Sequence, residues 1–204
     1  MSRSKGVEGS NTYQLAAATA DQFVAKRSAL VPFTLDHFRE WSRELILDSG
    51  EPWALEPFQE AFIEDVFTGF VEAWLIVPEG NGKTTLVSGL ALYHCEFTAD
   101  AWVPVGAASR DQARIIYRQA AGFVRRTPRL RAMFRPYDGY RRISHLENGA
   151  MIEIFAADDR TADGVIPTLC LVDEPHRQKD LSLYLTWSGK LDKRNGQIIA
   201  ISTA

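Results

Sequence analysis

The feature that most constrains the fold of this chain is a short glycine-containing stretch, VPEGNGKTT at residues 77–85. The apolar run VEAWLIV before the loop is typical of a buried strand, and KTTLVSGLALYHCEF at its end is typical of a helix. The stretch matches the end of a phosphate-binding loop, the pattern Gly, four residues, Gly, Lys and Ser or Thr between a strand and a helix. Val77 stands where that pattern has its first Gly. The stretch therefore predicts a deviant phosphate-binding loop, and a glycine turn that precedes Lys83 by chance is the alternative.

The residue types of this loop suit a nucleoside triphosphate. Small residues let successive backbone N–H groups face phosphate oxygens, and the positive end of the following helix strengthens that field. Gly80 and Gly82 supply the backbone freedom in the absence of the first Gly. We expect Lys83 to bridge the outer phosphates and the Thr84 hydroxyl to bind Mg²⁺. The loop residues that we predict to contact the nucleotide are Glu79, Gly80, Asn81, Gly82, Lys83, Thr84 and Thr85.

Two adjacent acids end a second apolar strand candidate, TLCLVDE at residues 168–174. At the carboxyl end of a strand, Asp173 is placed to hold Mg²⁺ through water, and Glu174 to polarise the water that attacks the γ-phosphate. Such pairs also follow strands by chance, but this one lies downstream of the loop, in the order found in nucleotide hydrolases. The combination predicts an ATP hydrolase. The glutamate argues against a kinase, in which water must be excluded.

Strands and helices alternate along the chain, which predicts an α/β fold with a mainly parallel central sheet covered by helices on both faces. Further strands are expected at AWVPVGAAS, AMIEIFAA and QIIAISTA, and a helix at RDQARIIYRQAAGFVRR. We divide the chain into a flexible tail at 1–12, a helical segment at 13–50 and an ATPase domain at 51–204.

Two amphipathic helices are expected before the loop. TLDHFREWSRELILDSG predicts a helix that begins at Thr34 and stops at Gly50. EPFQEAFIEDVFTGF predicts a second helix with one apolar face. The residues of that predicted face are Phe58, Phe62, Val66 and Phe70.

Composition sets broad limits on the function. A chain of 204 residues is long enough for one domain with a substantial core, and its net charge of −3 does not by itself indicate nucleic-acid binding. Cys95 and Cys170 both lie within apolar segments, which indicates reduced core thiols of a cytosolic protein. No apolar run approaches the roughly 20 residues needed to cross a bilayer. We therefore expect no membrane association.

The overall charge hides an arginine-rich stretch at residues 110–142, which contains ten arginines, two acids and no lysine. Arg110, Arg114 and Arg118 recur every four residues and so form one ridge on a helix. Three interpretations stay open: a solvated helix face, a contact with the phosphates of DNA, or an arginine finger that reaches a neighbouring subunit. The predicted DNA-binding residues are Arg110, Arg114, Arg118, Arg125 and Arg126.

Several segments, in order, resemble the N-terminal ATPase part of bacteriophage terminase large subunits, the motors that package double-stranded DNA into a procapsid. The likeness covers most of residues 50–204 and rests on LEPFQEAFIEDVF, VPEGNGKTT, VGAASRDQARIIY, ADDRTADGVIPTLCLVDEPH and ISTA. These resemble, in turn, the adenine-side Gln motif, the deviant loop, a segment with a recurring Gln-Ala pair, the stretch through the acidic pair and the coupling motif. The resemblance implies a P-loop NTPase fold of the ASCE type with an N-terminal helical extension.

The resemblance also implies roles for individual residues. Gln59 would read the adenine edge of ATP. Asp173 would be the metal carboxylate and Glu174 the general base. Ser202 and Thr203, in the coupling motif, would sense the state of the γ-phosphate and relay it.

Two further positions follow from the same resemblance. Arg160 occupies a position similar to that of a trans-acting arginine in some members of the family, which makes it our candidate arginine finger. Glu79 is a departure, since the family often has an arginine there, four residues before the loop lysine. An acid beside a triphosphate is electrostatically unfavourable, so the departure predicts weak nucleotide binding unless Glu79 points away or another residue replaces the arginine.

The family context implies ATP and Mg²⁺ as cofactors, and double-stranded DNA, a portal protein and a small terminase subunit as partners. It further implies a homo-oligomeric ring in the host cytoplasm. Because the chain stops directly after the coupling motif, we expect a fragment that lacks the lid and the nuclease domain, with weak ATPase activity and no DNA cleavage. Two alternatives stay open: a helicase-like or other DNA-translocating ATPase, and a catalytically weak nucleotide-binding assembly module.

Overall fold

The architecture is that of a single mixed sheet, seen in a computed structural model that describes residues 32–156, 164, 166–178 and 181–204. Within these residues the strands are β1 Glu72–Val77, β2 Trp102–Ala107, β3 Phe134–Tyr137, β4 Arg142–His145, β5 Met151–Ala156, β6 Leu169–Asp173 and β7 Gln197–Thr203. Their order across the sheet is β1-β7-β6-β2-β5-β4-β3. The predicted tail at 1–12 and the chain before residue 32 lie outside the described residues.

Helices connect β1 to β2, β2 to β3 and β6 to β7. In the described part of the chain they are α1 Leu35–Ser42, α2 Pro57–Phe67, α3 Lys83–Phe97, α4 Arg110–Arg126, α5 Pro128–Met133 and α6 Ser182–Ser188. Short 3₁₀ turns span Asp138–Tyr140, Pro175–Arg177 and Leu191–Arg194. None of the described helices combines the length and the apolar character that a membrane-spanning helix needs.

The sheet confirms the predicted α/β class. The neighbours β1, β7, β6, β2 and β5 all run parallel, and β4 and β3 extend the sheet by antiparallel pairing at the β5 side. The β3–β4 hairpin was not predicted from the sequence, because its strands are short and carry arginines and a proline, which are weak strand signals.

Apolar side chains cover both faces of the sheet, as predicted for parallel strands. Along β6, Leu169 and Leu171 belong to the large core beneath α1 to α5, whereas Cys170 and Val172 belong to a second core beneath α6. Cys170 and Cys95 are both free and buried, and burial raises the pKa of both thiols. They are core residues, in agreement with their apolar surroundings in the sequence.

The first predicted helix is correct at its start and wrong at its end. The Thr34 side chain accepts a hydrogen bond from the His37 N–H and caps α1, but α1 ends at Ser42. Beyond it the chain turns back through an antiparallel bridge between Ile46 and Pro52. Gly50, with φ of 88°, supports this turn and is not a helix stop.

The predicted apolar face of the second helix is correct at its centre only. Phe62 and Val66 are buried, together with Ile63 and Gln59. Phe70 lies past the end of α2 and is 57% exposed. The buried face is therefore displaced along the helix, and it includes a polar residue, Gln59.

The segment before α2 is fixed to the sheet domain by a tryptophan that packs on a glycine. Trp53 is 3% exposed and stacks on Phe123 of α4, with ring centroids 5.8 Å apart. Its ring also lies against Gly89 in the middle of α3, where a methyl group would overlap the ring atoms. Gly89 is thus required for close packing, although glycine is a poor helix former.

We predict that Gly89→Ala lowers the free energy of unfolding by about 1–3 kcal/mol, because the added methyl displaces Trp53. Gly139→Ala is the matched control, since no atom lies within 4 Å of the added methyl, and we expect a change within about 0.5 kcal/mol. Urea unfolding followed by tryptophan fluorescence measures both. A Gly89→Ala protein as stable as the wild type would contradict the packing described here.

Candidate active site

The register of the sheet brings the predicted site segments to one edge. Val77, the last residue of β1, pairs with Thr203 of β7, and Asp173 of β6 pairs with Ile201 of β7. The Glu174 N–H continues this ladder by donating to the Ile201 carbonyl at 2.8 Å. The glycine loop, the acidic pair and the end of β7 therefore meet at the carboxyl ends of neighbouring parallel strands, which is where open α/β sheets bind ligands.

The loop itself turns through two glycines in left-handed conformation. Gly80 has φ of 84°, and Gly82 has φ of 69° and is the N-cap of α3. The Asn81 side-chain amide donates to the Pro78 carbonyl at 3.0 Å and closes the turn. The 15-residue helix α3 begins at once with Lys83, so its N-terminal N–H groups face the loop.

A cavity of about 380 Å³ lies at this edge, a size in the range of small-molecule sites. It collects eight of the predicted site residues, which come from three different strand ends. The lining comprises Glu79, Gly80, Gly82, Lys83, Thr84, Ala108, Ser109, Gln112, Ile115, Asp173, Glu174, Arg177 and Thr203. The loop lysine, the loop threonine and both acids thus share one space, in which Glu79 also lies.

A tight polar cluster occupies the floor of this cavity. The Lys83 Nζ lies 3.3 Å from Glu174 Oε1 and donates to the Thr203 hydroxyl at 2.8 Å. The Thr203 hydroxyl in turn donates to Glu174 Oε1, and the Thr203 N–H donates to Glu174 Oε2 at 2.9 Å. Lys83 and Glu174 therefore neutralise each other, and Thr203 orients both through hydrogen bonds.

Glu174 shows the signs of a constrained functional residue. It is 5% exposed and has φ of 50° and ψ of 56°, a left-handed conformation that a non-glycine residue adopts at a cost. Burial acts to raise its pKa, but the hydrogen bonds from Thr203 and Lys83 outweigh burial and lower the pKa below its ordinary value. The carboxylate is therefore charged at neutral pH.

Asp173 is held by a different neighbour. Its side chain is buried, with the residue 1% exposed, and accepts a hydrogen bond from the Gln112 amide at 2.8 Å. Burial, with a smaller contribution from the charge of Glu174, raises the pKa of Asp173 to about 6, against the opposing effects of the Gln112 hydrogen bond and of the charges of Lys83 and Arg177. Asp173 and Thr84 both line the cavity, and oxygen donors of these two types suit Mg²⁺, which usually takes one or two protein ligands beside phosphates and water.

A second cavity of about 560 Å³ lies on the other side of the loop and shares Gly80 and Gly82 with the first. Gln59 and Thr85 are among its lining residues. Gln59 is 3% exposed, and its side-chain oxygen accepts the Glu56 N–H at 3.1 Å, which caps α2. Its amide nitrogen lies close to Gly82, so Gln59 joins α2 to the loop.

The predicted coupling residues lie beside the acidic pair. Ser202 is buried, and its hydroxyl donates to Glu174 Oε2 at 3.4 Å. It also shares a hydrogen bond of 2.7 Å with His176 Nδ1, and His176 follows the acids in the short 3₁₀ turn. The last residues of β7 therefore contact both the loop lysine and the segment after β6.

The five predicted DNA-binding arginines fall into two groups. Arg110, Arg114 and Arg118 are exposed on α4, where Arg114 lies 3.8 Å from the exposed Asp111. Arg125 is paired with Asp138 at 2.6 Å, and Arg126 donates to the Ile46 carbonyl at 2.8 Å and so supports the fold. Arg160, the predicted finger, lies outside the described residues.

Five residues that line this cavity were not predicted from the sequence, and two of them, Gln112 and Arg177, act on Asp173. Gln112 belongs to the segment with the Gln-Ala pair, but its approach to Asp173 depends on β2 lying next to β6 in the sheet. Arg177 lies three residues after the acids in a turn that returns it to the cavity. Predicting Gln112 would have required the strand order, and predicting Arg177 the geometry of the turn.

Comparison with known proteins assigns most of the chain to one family. Residues 57–204 match the family described as terminase large subunit, ATPase domain. The large terminase subunit of Enterobacteria phage HK97 is 30% identical over 131 residues, which are 61% of this chain and 26% of that protein. The chain thus spans about a quarter of this curated relative.

Solved terminase structures share the fold. The crystal structure of the HK97 bacteriophage large terminase is similar with a TM-score of 0.73 and 26% identity, over 82% of this chain and 37% of that chain. The large terminase ATPase domain of Thermus phage P74-26 is similar with a TM-score of 0.63 over 74% of this chain and 65% of that chain. At 15% identity the second likeness shows the fold alone.

We predict that Thr203→Val lowers the free energy of unfolding of the nucleotide-free protein by about 1–3 kcal/mol, because Lys83 and Glu174 lose a buried polar partner. Thr203→Ser keeps the hydroxyl and is the matched control, for which we expect a smaller loss. Equilibrium unfolding in urea compares the two. Equal destabilisation by both variants would show that the methyl group of Thr203, and not its hydroxyl, stabilises the site.

Proposed function

Since the chain belongs to the family of terminase large-subunit ATPase domains, we propose that it hydrolyses ATP to drive double-stranded DNA into a procapsid. The observation that carries this proposal is the shared cavity, where the loop lysine, the two acids and Thr203 come together. The working motor would be a homo-oligomeric ring in the host cytoplasm, with a portal protein and a small terminase subunit as partners.

The phosphates would bind at the start of α3. The N-terminal N–H groups of the helix and the Lys83 ammonium supply positive field there, and the Thr84 hydroxyl and Asp173 would hold Mg²⁺. Bound at these residues, Mg²⁺ would supply positive charge against the negative charge that develops on the phosphates during transfer. Glu79 lines the same cavity and opposes this field, which supports weak intrinsic affinity for nucleotide.

The adenine would occupy the second cavity. It adjoins the phosphate cavity across Gly80 and Gly82, and Gln59 lines it. Because the Gln59 oxygen is bound to the Glu56 N–H, the amide nitrogen is the group that would contact the base. This predicts recognition by one donor rather than by a paired donor and acceptor.

Glu174 would act as the general base. In the nucleotide-free site its Oε1 faces Lys83 and the Thr203 hydroxyl, while Oε2 is fixed by the Thr203 N–H. A triphosphate attracts the ammonium more strongly than one carboxylate does, so nucleotide binding would draw Lys83 away. Oε1 would then accept the proton of the attacking water, with Glu174 still oriented through Oε2.

The same contacts offer a route for coupling hydrolysis to movement. Thr203 contacts both the loop lysine and the base, and Ser202 links the base to His176. Departure of the γ-phosphate would restore the pairing of Lys83 with Glu174 and change the hydrogen bonds at the end of β7. DNA would be contacted by the exposed ridge of α4, and Arg160 or Arg177 would supply an arginine finger.

We predict that Glu174→Gln lowers the rate of phosphate release by about 10²–10⁴-fold, because the base is lost. Affinity for nucleotide should stay the same or rise, because Lys83 loses its competing carboxylate. Glu79→Gln makes the same change at another residue that lines the cavity. It should bind nucleotide more tightly, because it removes an opposing charge, and it should keep its turnover at saturating nucleotide. Release of inorganic phosphate and binding of a fluorescent ATP analogue provide the two measurements.

Equal turnover by the wild type and by Glu174→Gln, with and without DNA, would contradict this assignment. It would favour the alternative of a nucleotide-binding assembly module. Loss of nucleotide binding in Glu174→Gln would also contradict it, because a base is not required for binding.

We predict that the double substitution Arg114→Gln with Arg118→Gln weakens binding to double-stranded DNA and makes it less dependent on salt. Each lost phosphate contact should reduce the slope of log affinity against log salt by about 1. Arg125→Gln is the control, because Asp138 holds Arg125 at 2.6 Å, much closer than the 3.8 Å between Arg114 and Asp111. Fluorescence anisotropy of labelled DNA at several salt concentrations measures the slope. An unchanged slope in the double variant, or an equal change in Arg125→Gln, would contradict the ridge as the DNA contact.

A further inference from the structure

The two acids of the site are adjacent in the sequence but supported by different parts of the fold. Glu174 is held by Lys83 and Thr203, from the loop and from β7. Asp173 faces the other side, towards β2 and α4, where Gln112 donates to its Oδ2 at 2.8 Å. The hydrogen bonds described for the site therefore give each carboxylate its own partners.

The start of α4 fixes Gln112 in this position. Ser109 is the N-cap, and its hydroxyl accepts the Gln112 backbone N–H at 3.2 Å. A side chain three residues after an N-cap often folds back on the cap itself. Here the Gln112 side chain instead extends to Asp173, across the boundary between β2 and β6.

An amide is well suited to support a carboxylate that binds a metal. It donates a directional hydrogen bond to one oxygen and leaves the other free. Unlike lysine or arginine, it adds no positive charge that would compete with a cation. Ligating carboxylates are generally hydrogen-bonded in this way by a surrounding layer of residues, and these partners affect metal affinity.

We infer that Gln112 is a positioning residue for Asp173. Its amide holds Oδ2 of the carboxylate, which leaves Oδ1 to interact with Mg²⁺ when nucleotide is bound. The inference rests on the proposed function and adds to it a residue outside the loop and the acidic pair. Gln112 contacts neither the loop lysine nor Glu174 in the described hydrogen bonds, so its effect should be confined to the metal.

The test is the Mg²⁺ dependence of nucleotide binding in the full chain. A fluorescent ATP analogue is titrated at a series of Mg²⁺ concentrations and in EDTA, with wild type, Gln112→Leu and Gln119→Leu. Gln119 lies two turns further along the same face of α4 and is also partly buried, which makes it the matched control. Gln112→Asn, whose amide is one methylene shorter, is a second variant in case the leucine disturbs the fold.

In Gln112→Leu we expect the Mg²⁺ concentration for half-maximal binding to rise on the order of tenfold, while binding in EDTA stays as in the wild type. Gln112→Asn should shift in the same direction, and Gln119→Leu should not shift. A midpoint in both Gln112 variants equal to that of Gln119→Leu would overturn the inference. Equal weakening with Mg²⁺ and in EDTA would also overturn it, because the role would then be structural. A wild type that binds no nucleotide even with Mg²⁺ would refute the proposed function, and this inference with it.

Discussion

The ion pair between Lys83 and Glu174 is the interaction on which the rest of the site depends. It joins the loop after β1 to the end of β6 across the intervening strand, and its side chains are only 11% and 7% exposed. Charged groups that are this poorly hydrated need further hydrogen bonds besides the ion pair. Thr203 on β7 supplies one to each, because its hydroxyl accepts from Lys83 and its N–H donates to Glu174. Because the register sets Val77 opposite Thr203, the order of the strands determines this contact. Without β6 and β7 beside it, the glycine loop would be a turn followed by a lysine with no buried partner.

The same pair would keep the proposed base, Glu174, neutralised until nucleotide binds. In the proposed cycle the ammonium neutralises Glu174 until a triphosphate competes for it, so that a free base and a bound substrate appear together. Asp173 does not take part in this exchange, since Gln112 supports it from α4. Helix α4, which carries the exposed arginine ridge, therefore also carries the hydrogen-bond partner of Asp173, the proposed metal carboxylate.

The sequence permitted the loop, the acidic strand and the α/β class to be predicted, because each depends on local pattern and chain order. Contacts set by strand order were not accessible to that reasoning. Gln112 lies in a segment that resembles the family, but the sequence alone assigns it no role, because strand order places β2 beside β6. The ridge on α4 is predicted from its spacing alone. Arg126, predicted on the same helix to bind DNA, instead donates to the Ile46 carbonyl, 80 residues away in sequence, and no local pattern indicates that contact. The predicted end of α1 was wrong, because the bridge between Ile46 and Pro52 turns the chain back where the apolar spacing continues the helical pattern.

The most direct measurement is a crystal structure of the chain with a non-hydrolysable ATP analogue and Mg²⁺. The account predicts the triphosphate in the cavity at the start of α3, with Lys83 moved from Glu174 to the outer phosphates. Glu174 should keep its bond to the Thr203 N–H and face a water in line with the γ-phosphate. A nucleotide bound elsewhere, or a Lys83 that stays paired with Glu174 while the triphosphate is bound, would contradict it.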